Sequence, residues 1–179
     1  MAPSPLASPF HLERTSSRMR EQKPQNAPMH IRRADLDDPA FAALMEEHRA
    51  AMQATAPPES RHALDLAGLR RPDVRVWTLH EGDALLGCGA LQHLDAGHVE
   101  IKAMRTARAH LRQGVARALL EHLLAEARAS GYARASLETG SMAWFEPARR
   151  LYAAAGFVEC GPFAGYVDDP NSTYLTRTL

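Results

Sequence analysis

The stretch His110-Leu111-Arg112-Gln113-Gly114-Val115-Ala116-Arg117-Ala118-Leu119-Leu120 decides how the rest of the chain is read. It predicts a glycine-containing turn that runs into an amphipathic helix over 112–130, with Val115, Leu119, Leu123 and Ala127 as its apolar seam. Just upstream, 97–106 is strand-like. A strand, a tight turn and a helix N-terminus together make an anion site. The first-turn N–H groups of a helix have no partners within it, and the helix dipole places partial positive charge there. Gly114, which has no Cβ, lets the backbone approach a ligand closely. Neither Gly-x-x-x-x-Gly-Lys-Ser/Thr nor Gly-x-Gly-x-x-Gly occurs. Taken alone, the turn reads either as a plain loop-to-helix junction or as a phosphate or pyrophosphate site outside those two classes, and its context has to decide between them.

A second stretch, Pro147-Ala148-Arg149-Arg150-Leu151-Tyr152-Ala153-Ala154-Ala155-Gly156-Phe157, predicts another helix. Pro147 suits its first turn and Gly156 its C-terminal cap. Ala148, Leu151, Tyr152 and Ala155 share one apolar face at i, i+3, i+4 and i+7. Tyr152 therefore points inward, as a packed aromatic or as a buried polar handle.

Together the two stretches resemble the GNAT superfamily of acetyl-CoA-dependent N-acetyltransferases. Its signature is Arg/Gln-x-x-Gly-x-Gly/Ala at a helix start, followed further along by Leu-Tyr-x-x-x-Gly-Phe. Gly114 and Ala116 match the first part, and Leu151 to Phe157 match the second in full. Leu111 stands where the family usually has Arg or Gln, which leaves the backbone N–H groups to hold the pyrophosphate. Phe145 stands where many members carry an Asn that contacts the pantetheine arm, so either an apolar contact replaces that hydrogen bond or another group supplies it.

The resemblance implies an α/β (α+β) GNAT fold: a single mixed, mostly antiparallel sheet of about seven strands flanked by about four helices. It implies acetyl-CoA as co-substrate, held at the pyrophosphate by Arg112, Gln113, Gly114, Val115 and Ala116, and at the pantetheine by Met104, Arg105, Thr106 and Phe145. It also implies transfer of the acetyl group to the primary amine of a small molecule or peptide, by direct attack in a ternary complex. Tyr152 would be the general acid toward the leaving thiolate, since a phenol of pKa about 10 keeps its proton at neutral pH. Glu100 is the candidate base. Strand alternation puts His98, Glu100, Lys102 and Met104 on one face and Val99, Ile101 and Ala103 on the other. The competing expectation is a solvated Glu100–Lys102 pair on an open face.

For the acceptor amine the sequence offers His48, Glu59, Glu138 and Ser141 as binding residues. Glu47, Thr55 and His62 are further candidates; the carboxylates suit a cationic amine, and Arg105 or Arg149 an acidic group on the acceptor. The alternative function is a catalytically silent CoA-binding regulatory module.

Composition sets the bounds. With 179 residues and 45% apolar content there is material for one domain and one core. Lys and Arg number 21, as do Asp and Glu, so no general attraction to nucleic acid or an anionic membrane follows. No apolar run reaches the ~18–20 residues of a membrane span. Cys88 and Cys160 lie far apart in apolar, strand-like surroundings, and read as free thiols in a reducing cytoplasm. Nine histidines form no His-Glu-x-x-His or other ligand spacing, so no metal is expected. Expected partners are an amine acceptor and, as the protein partner, a second copy in a homodimer.

Residues 1–28 are rich in Pro, Ser, Arg and Gln and read as a disordered leader, with Met29 a candidate translational start. From there to residue 179 runs the domain. Strands are expected at 30–34, 74–81, 84–94, 97–106, 132–139, 157–161 and 173–178. Besides the two helices above, helices are expected at 39–52 and 62–69. The Gly82-Asp83 turn joins one hairpin.

Overall fold

A computed structural model describes residues 28–55, 57 and 64–179. The expectations at residues 1–27, Glu59 and His62 lie outside the described residues. Seven strands form one sheet in the order β1-β2-β3-β4-β5-β7-β6. The strands are β1 (Met29–Arg33), β2 (Val74–Glu81), β3 (Ala84–Asp95), β4 (His98–Thr106), β5 (Arg134–Gly140), β6 (Val158–Cys160) and β7 (Ser172–Thr178). The α-helices are α1 (Pro39–Thr55), α2 (Leu66–Leu69), α3 (Val115–Ala129) and α4 (Glu146–Ala154). Every neighbouring pair is antiparallel except β4 with β5. No described helix is long and apolar enough to cross a membrane.

The element order is the one the sequence predicts. The long helix begins later than expected, because Arg112 and Gly114 take left-handed backbone and belong to the turn. The second helix is shorter in its described part, starting at Leu66 after Asp65, whose carboxylate accepts from the Gly68 N–H as an N-cap.

Helices cover both faces of the sheet. α3 and α4 bury Leu120, Leu123, Leu124 and Tyr152 against Val99, Ile101, Ala135 and Leu137. α1 and α2 bury Phe41, Leu44, Met45 and Leu69 against Val74, Val76, Cys88 and Ala90. The strands thus alternate between two apolar layers, which is why their sequences read as near-continuous hydrophobic runs.

One irregularity positions the site. Between the Ala90–Lys102 and Cys88–Arg105 pairs, Ala103 and Met104 together oppose the single residue Gly89. This is a β-bulge, and Ala103 sits in it at φ 51. Gly89 makes room for it, since a Cβ there would stand 2.7 Å from the Met104 sulfur and 2.8 Å from Leu123. The Cys88 thiol donates to the Ala103 carbonyl at 3.3 Å. The bulge corrects one expectation. Glu100 and Lys102 share a face as alternation requires, but the extra residue turns Met104 to the opposite side, against the core under α3.

The second consequence is a split in the sheet. β4 and β5 pair only over His98–Arg134, Val99–Ala135 and Glu100–Ser136. Beyond Glu100 β4 bulges, while β5 follows β7 through all seven of its residues. The two middle strands diverge, and the sheet opens into a cleft.

Candidate active site

The cleft is lined on the β4 side by Glu100, Lys102 and Met104, and on the β5 side by Glu138, Thr139 and Gly140. Glu100, Lys102 and Glu138 stand on the α1 face of the sheet, where His48 and Met52 of α1 close the wall. Tyr152 belongs to α4 and packs in the core of the opposite face, with its ring 5.9 Å from that of Phe157. It nevertheless lines the same cleft. In an unbroken sheet the two could not meet; the gap between β4 and β5 opens a passage from one layer to the other.

Glu100 is 3% exposed, so the expectation of a solvated pair on an open face does not hold. It does pair with Lys102, at 2.9 Å, but both side chains are enclosed. The Tyr166 hydroxyl donates to the same carboxylate at 2.6 Å. Burial, and then the Glu138 charge, push the Tyr152 phenol well above its ordinary pKa, so it keeps its proton at any physiological pH. Its hydroxyl makes no hydrogen bond to another described residue.

The α1 wall carries His48. Burial and the nearby Arg105 guanidinium pull its pKa down to about 4, so it faces the cleft as a neutral ring, and its Nδ1 is buried with no partner among the described residues. Glu47, one residue before, accepts from Arg105 at 2.5 Å and from the Arg108 backbone N–H at 3.2 Å. This ties α1 to the end of β4 rather than offering a carboxylate to a ligand. The Thr55 side chain lies outside the described residues.

Among the other predicted residues, Phe145 lines the cleft and lies against Gly140. A Cβ at Gly140 would overlap the Phe145 ring. Gly140→Ala is therefore expected to push Phe145 into the cleft. The result should be a higher KM for acetyl-CoA and a stability loss of about 1–3 kcal/mol, read by steady-state kinetics and denaturant unfolding. Ser141 does not line the cleft; its hydroxyl donates to the Pro170 carbonyl at 2.7 Å and anchors the chain before β7. Arg149 likewise donates to the Gly140 and Met142 carbonyls. Cys88 is fully buried, which pushes its thiol up to about 12 and makes it inert; Cys160 is partly exposed.

The turn before α3 has the shape of an anion cradle. Arg112 at φ 60 and Gly114 at φ 83 both take left-handed backbone, and the first α3 hydrogen bond to Gly114 comes only from the Ala118 N–H. The N–H groups of Val115, Ala116 and Arg117 precede it, and nothing lies within 4 Å of where a Gly114 Cβ would be. Leu111 is exposed and takes no part in the core. Gly114→Val should force the turn out of its conformation and raise the dissociation constant for CoA about tenfold or more, read by calorimetry. Unchanged affinity would remove the turn from the cofactor site.

Sequence reasoning did not find Tyr166 or Met52. Tyr166 lies in a segment with no regular structure, and its one visible signal is the run of aromatics Phe163, Tyr166 and Tyr174.

Comparison with known proteins identifies the family and the fold. The model of the acetyltransferase (GNAT) family matches residues 41–157. The chain is 53% identical over 151 residues to the uncharacterized N-acetyltransferase YsnE of Bacillus subtilis, covering 84% of this chain and 100% of that one. It is 47% identical over 149 residues to the uncharacterized N-acetyltransferase YedL of Escherichia coli, covering 83% and 94% respectively. Among solved structures, a GNAT family acetyltransferase from Elizabethkingia anophelis with acetyl-CoA bound superimposes with a TM-score of 0.63 at 18% identity, over 84% of this chain and 98% of that one. At that identity the likeness speaks for the fold.

Proposed function

The chain belongs to the acetyltransferase (GNAT) family and is an acyltransferase, and on that premise we propose that it moves the acetyl group of acetyl-CoA directly to a primary amine of a small molecule or peptide, in a ternary complex. The observation that carries this reading is the split sheet, which lets Glu100 and Tyr152 line one cleft from opposite faces. Residues 29–179 would form the single catalytic unit. We place the protein in the cytoplasm, where free thiols such as Cys88 persist.

The residues present fit acetyl-CoA. The left-handed turn at Arg112–Gly114 and the open first turn of α3 would take the pyrophosphate. Met104, Arg105 and Thr106, on the stretch of β4 that has lost its β5 neighbour, would meet the pantetheine, with Phe145 opposite. Bound there, the co-substrate supplies an activated acetyl thioester. Glu100 takes a proton from the amine as the new C–N bond forms, directly or through a water. Tyr152 gives its proton to sulfur as the C–S bond breaks, and solvent returns the proton on Glu100 to the phenolate. The net result is an amide and a thiol. A backbone N–H near Met104 polarises the thioester oxygen. On the α1 side, His48 and Glu138 meet the acceptor; Glu138 already accepts from the Ser172 hydroxyl at 2.7 Å.

Direct transfer predicts intersecting initial-velocity lines when acetyl-CoA and amine are varied together. Parallel lines, with an acetylated protein detected by mass spectrometry, would contradict it.

A further inference from the structure

The Glu100 carboxylate is held, and by only one of its oxygens. Both hydrogen bonds that the described residues make to it end on Oε1, from Lys102 Nζ at 2.9 Å and from the Tyr166 hydroxyl at 2.6 Å. Lys102 Nζ also donates to the Tyr166 oxygen at 2.7 Å, which closes a triangle of contacts. The ammonium lies 5.2 Å from the Tyr166 ring centroid. Oε2 keeps its lone pairs for the cleft that the residue lines. A carboxylate turns about the bond that carries it, and a single flexible lysine does not fix that rotation. Two donors converging on one oxygen do.

The donors have different origins. Lys102 comes with the strand, two residues from Glu100. Tyr166 comes from the far end of the chain, on the segment 161–171 that crosses the α1 face of the sheet between β6 and β7. That segment is fastened at several points. The Phe163 ring lies 5.6 Å from His98 and 5.2 Å from Tyr166. The Tyr174 hydroxyl donates to the Val167 carbonyl at 2.7 Å, and Ser141 holds Pro170. Tyr166 is thus built into its place, with its phenol in a site closed enough to push its pKa far above the ordinary value, first through burial and then through Glu100.

We infer that Tyr166 is a positioning residue for Glu100: together with Lys102 it occupies Oε1 and turns Oε2 toward the incoming amine. This rests on Glu100 acting as the base. It makes the crossing segment part of the catalytic apparatus, since a shift of the segment would release the carboxylate.

The test is a double-mutant cycle in Tyr166→Phe and Glu100→Gln, with turnover followed by thiol release from acetyl-CoA. Tyr166→Phe keeps the ring and its contacts with Phe163 and Tyr174, so the melting temperature and the KM for acetyl-CoA should stay near wild type. Its kcat should fall about ten- to a hundredfold, the cost of a misaligned catalytic group. In the Glu100→Gln background the same substitution should cost nothing further, because there is no longer a base to align. An equal loss in both backgrounds, or a wild-type kcat in the single variant, overturns the inference and leaves the base assignment standing. Full activity of Glu100→Gln would instead remove the base, and the inference with it. Crystal structures of wild type and Tyr166→Phe with CoA give a second readout that needs no acceptor. The Glu100 carboxylate should rotate in the variant; an unmoved carboxylate overturns the inference.

Discussion

Replacing Tyr152 with Phe is expected to lower kcat by ~10²–10⁴ while leaving the dissociation constant for acetyl-CoA nearly unchanged. The Tyr152 ring is packed against Phe157 in the core under α3 and α4, and a phenylalanine fills the same volume. The substitution therefore subtracts one hydroxyl and little else. That hydroxyl has no hydrogen-bond partner among the described residues and keeps its proton, since burial and Glu138 both raise its pKa. A protonated hydroxyl that lines the cleft without such a partner is what the proposed general acid requires. Steady-state kinetics with calorimetric titration of acetyl-CoA separates the two quantities. Wild-type turnover in Tyr152→Phe would return the residue to the role of a packed core aromatic.

Glu100→Gln should bring a loss of similar size, ~10²–10⁴ in kcat, through the amine rather than the thiol. Glutamine keeps the shape and the oxygen that Lys102 and Tyr166 address, but it cannot take a proton. It also leaves Lys102, a tenth exposed, without its carboxylate. Breaking a buried pair from one side costs about 3–5 kcal/mol, and the amide dipole offsets part of that. Activity and stability would then fall together, so a control is needed. In Lys102→Met with Glu100→Gln, neither charge is left unpaired, and stability should recover while turnover does not. Recovery of turnover in that double variant would show that Glu100 serves the fold and not the proton.

Much of this was legible in the sequence because its physical signals are local. Gly114 announces a left-handed turn before a helix, and the 3.6-residue spacing of Ala148, Leu151, Tyr152 and Ala155 announces an inward-facing tyrosine. Strands β2 to β4 announce themselves by apolar runs broken at Gly82 and Gly97. What stayed hidden depends on partners distant in the chain. Strand alternation gave Met104 the same face as Glu100, because nothing local marks the extra residue at Ala103. The bulge depends on the missing side chain of Gly89 across the strand pair. The enclosure of Glu100 was equally invisible. A Glu-x-Lys in a strand looks like a solvated pair, and its cover comes from partners such as Tyr166, 66 positions away. Ser141 shows the reverse case. It reads as a polar residue at a strand exit and is spent on the Pro170 carbonyl.

The acceptor side follows the same division. His48 is visible as a polar residue on an otherwise apolar helix face, but its neutrality comes from burial beside Arg105, which only the folded chain supplies. Glu47 shares that helix and is committed to Arg105 and Arg108. The proposed acceptor wall is therefore narrower than the sequence implies: a neutral imidazole, the Met52 side chain and a Glu138 carboxylate that already accepts from Ser172.

The most direct measurement is amine-dependent release of CoA thiol from acetyl-CoA by the full chain, over a panel of amino acids, polyamines, aminoglycosides and short peptides, with the product identified by mass. Release is expected to need both the protein and an amine and to give an N-acetylated product, and the protein is expected to be stabilised by acetyl-CoA and CoA but not by Mg-ATP. At about a hundred times its Kd a ligand adds ~2.7 kcal/mol to the folded state, a rise of roughly 5–10 °C for a domain of this size. Stabilisation by CoA with no amine-dependent release across the panel would contradict catalysis, and would mark the chain as a silent CoA-binding module.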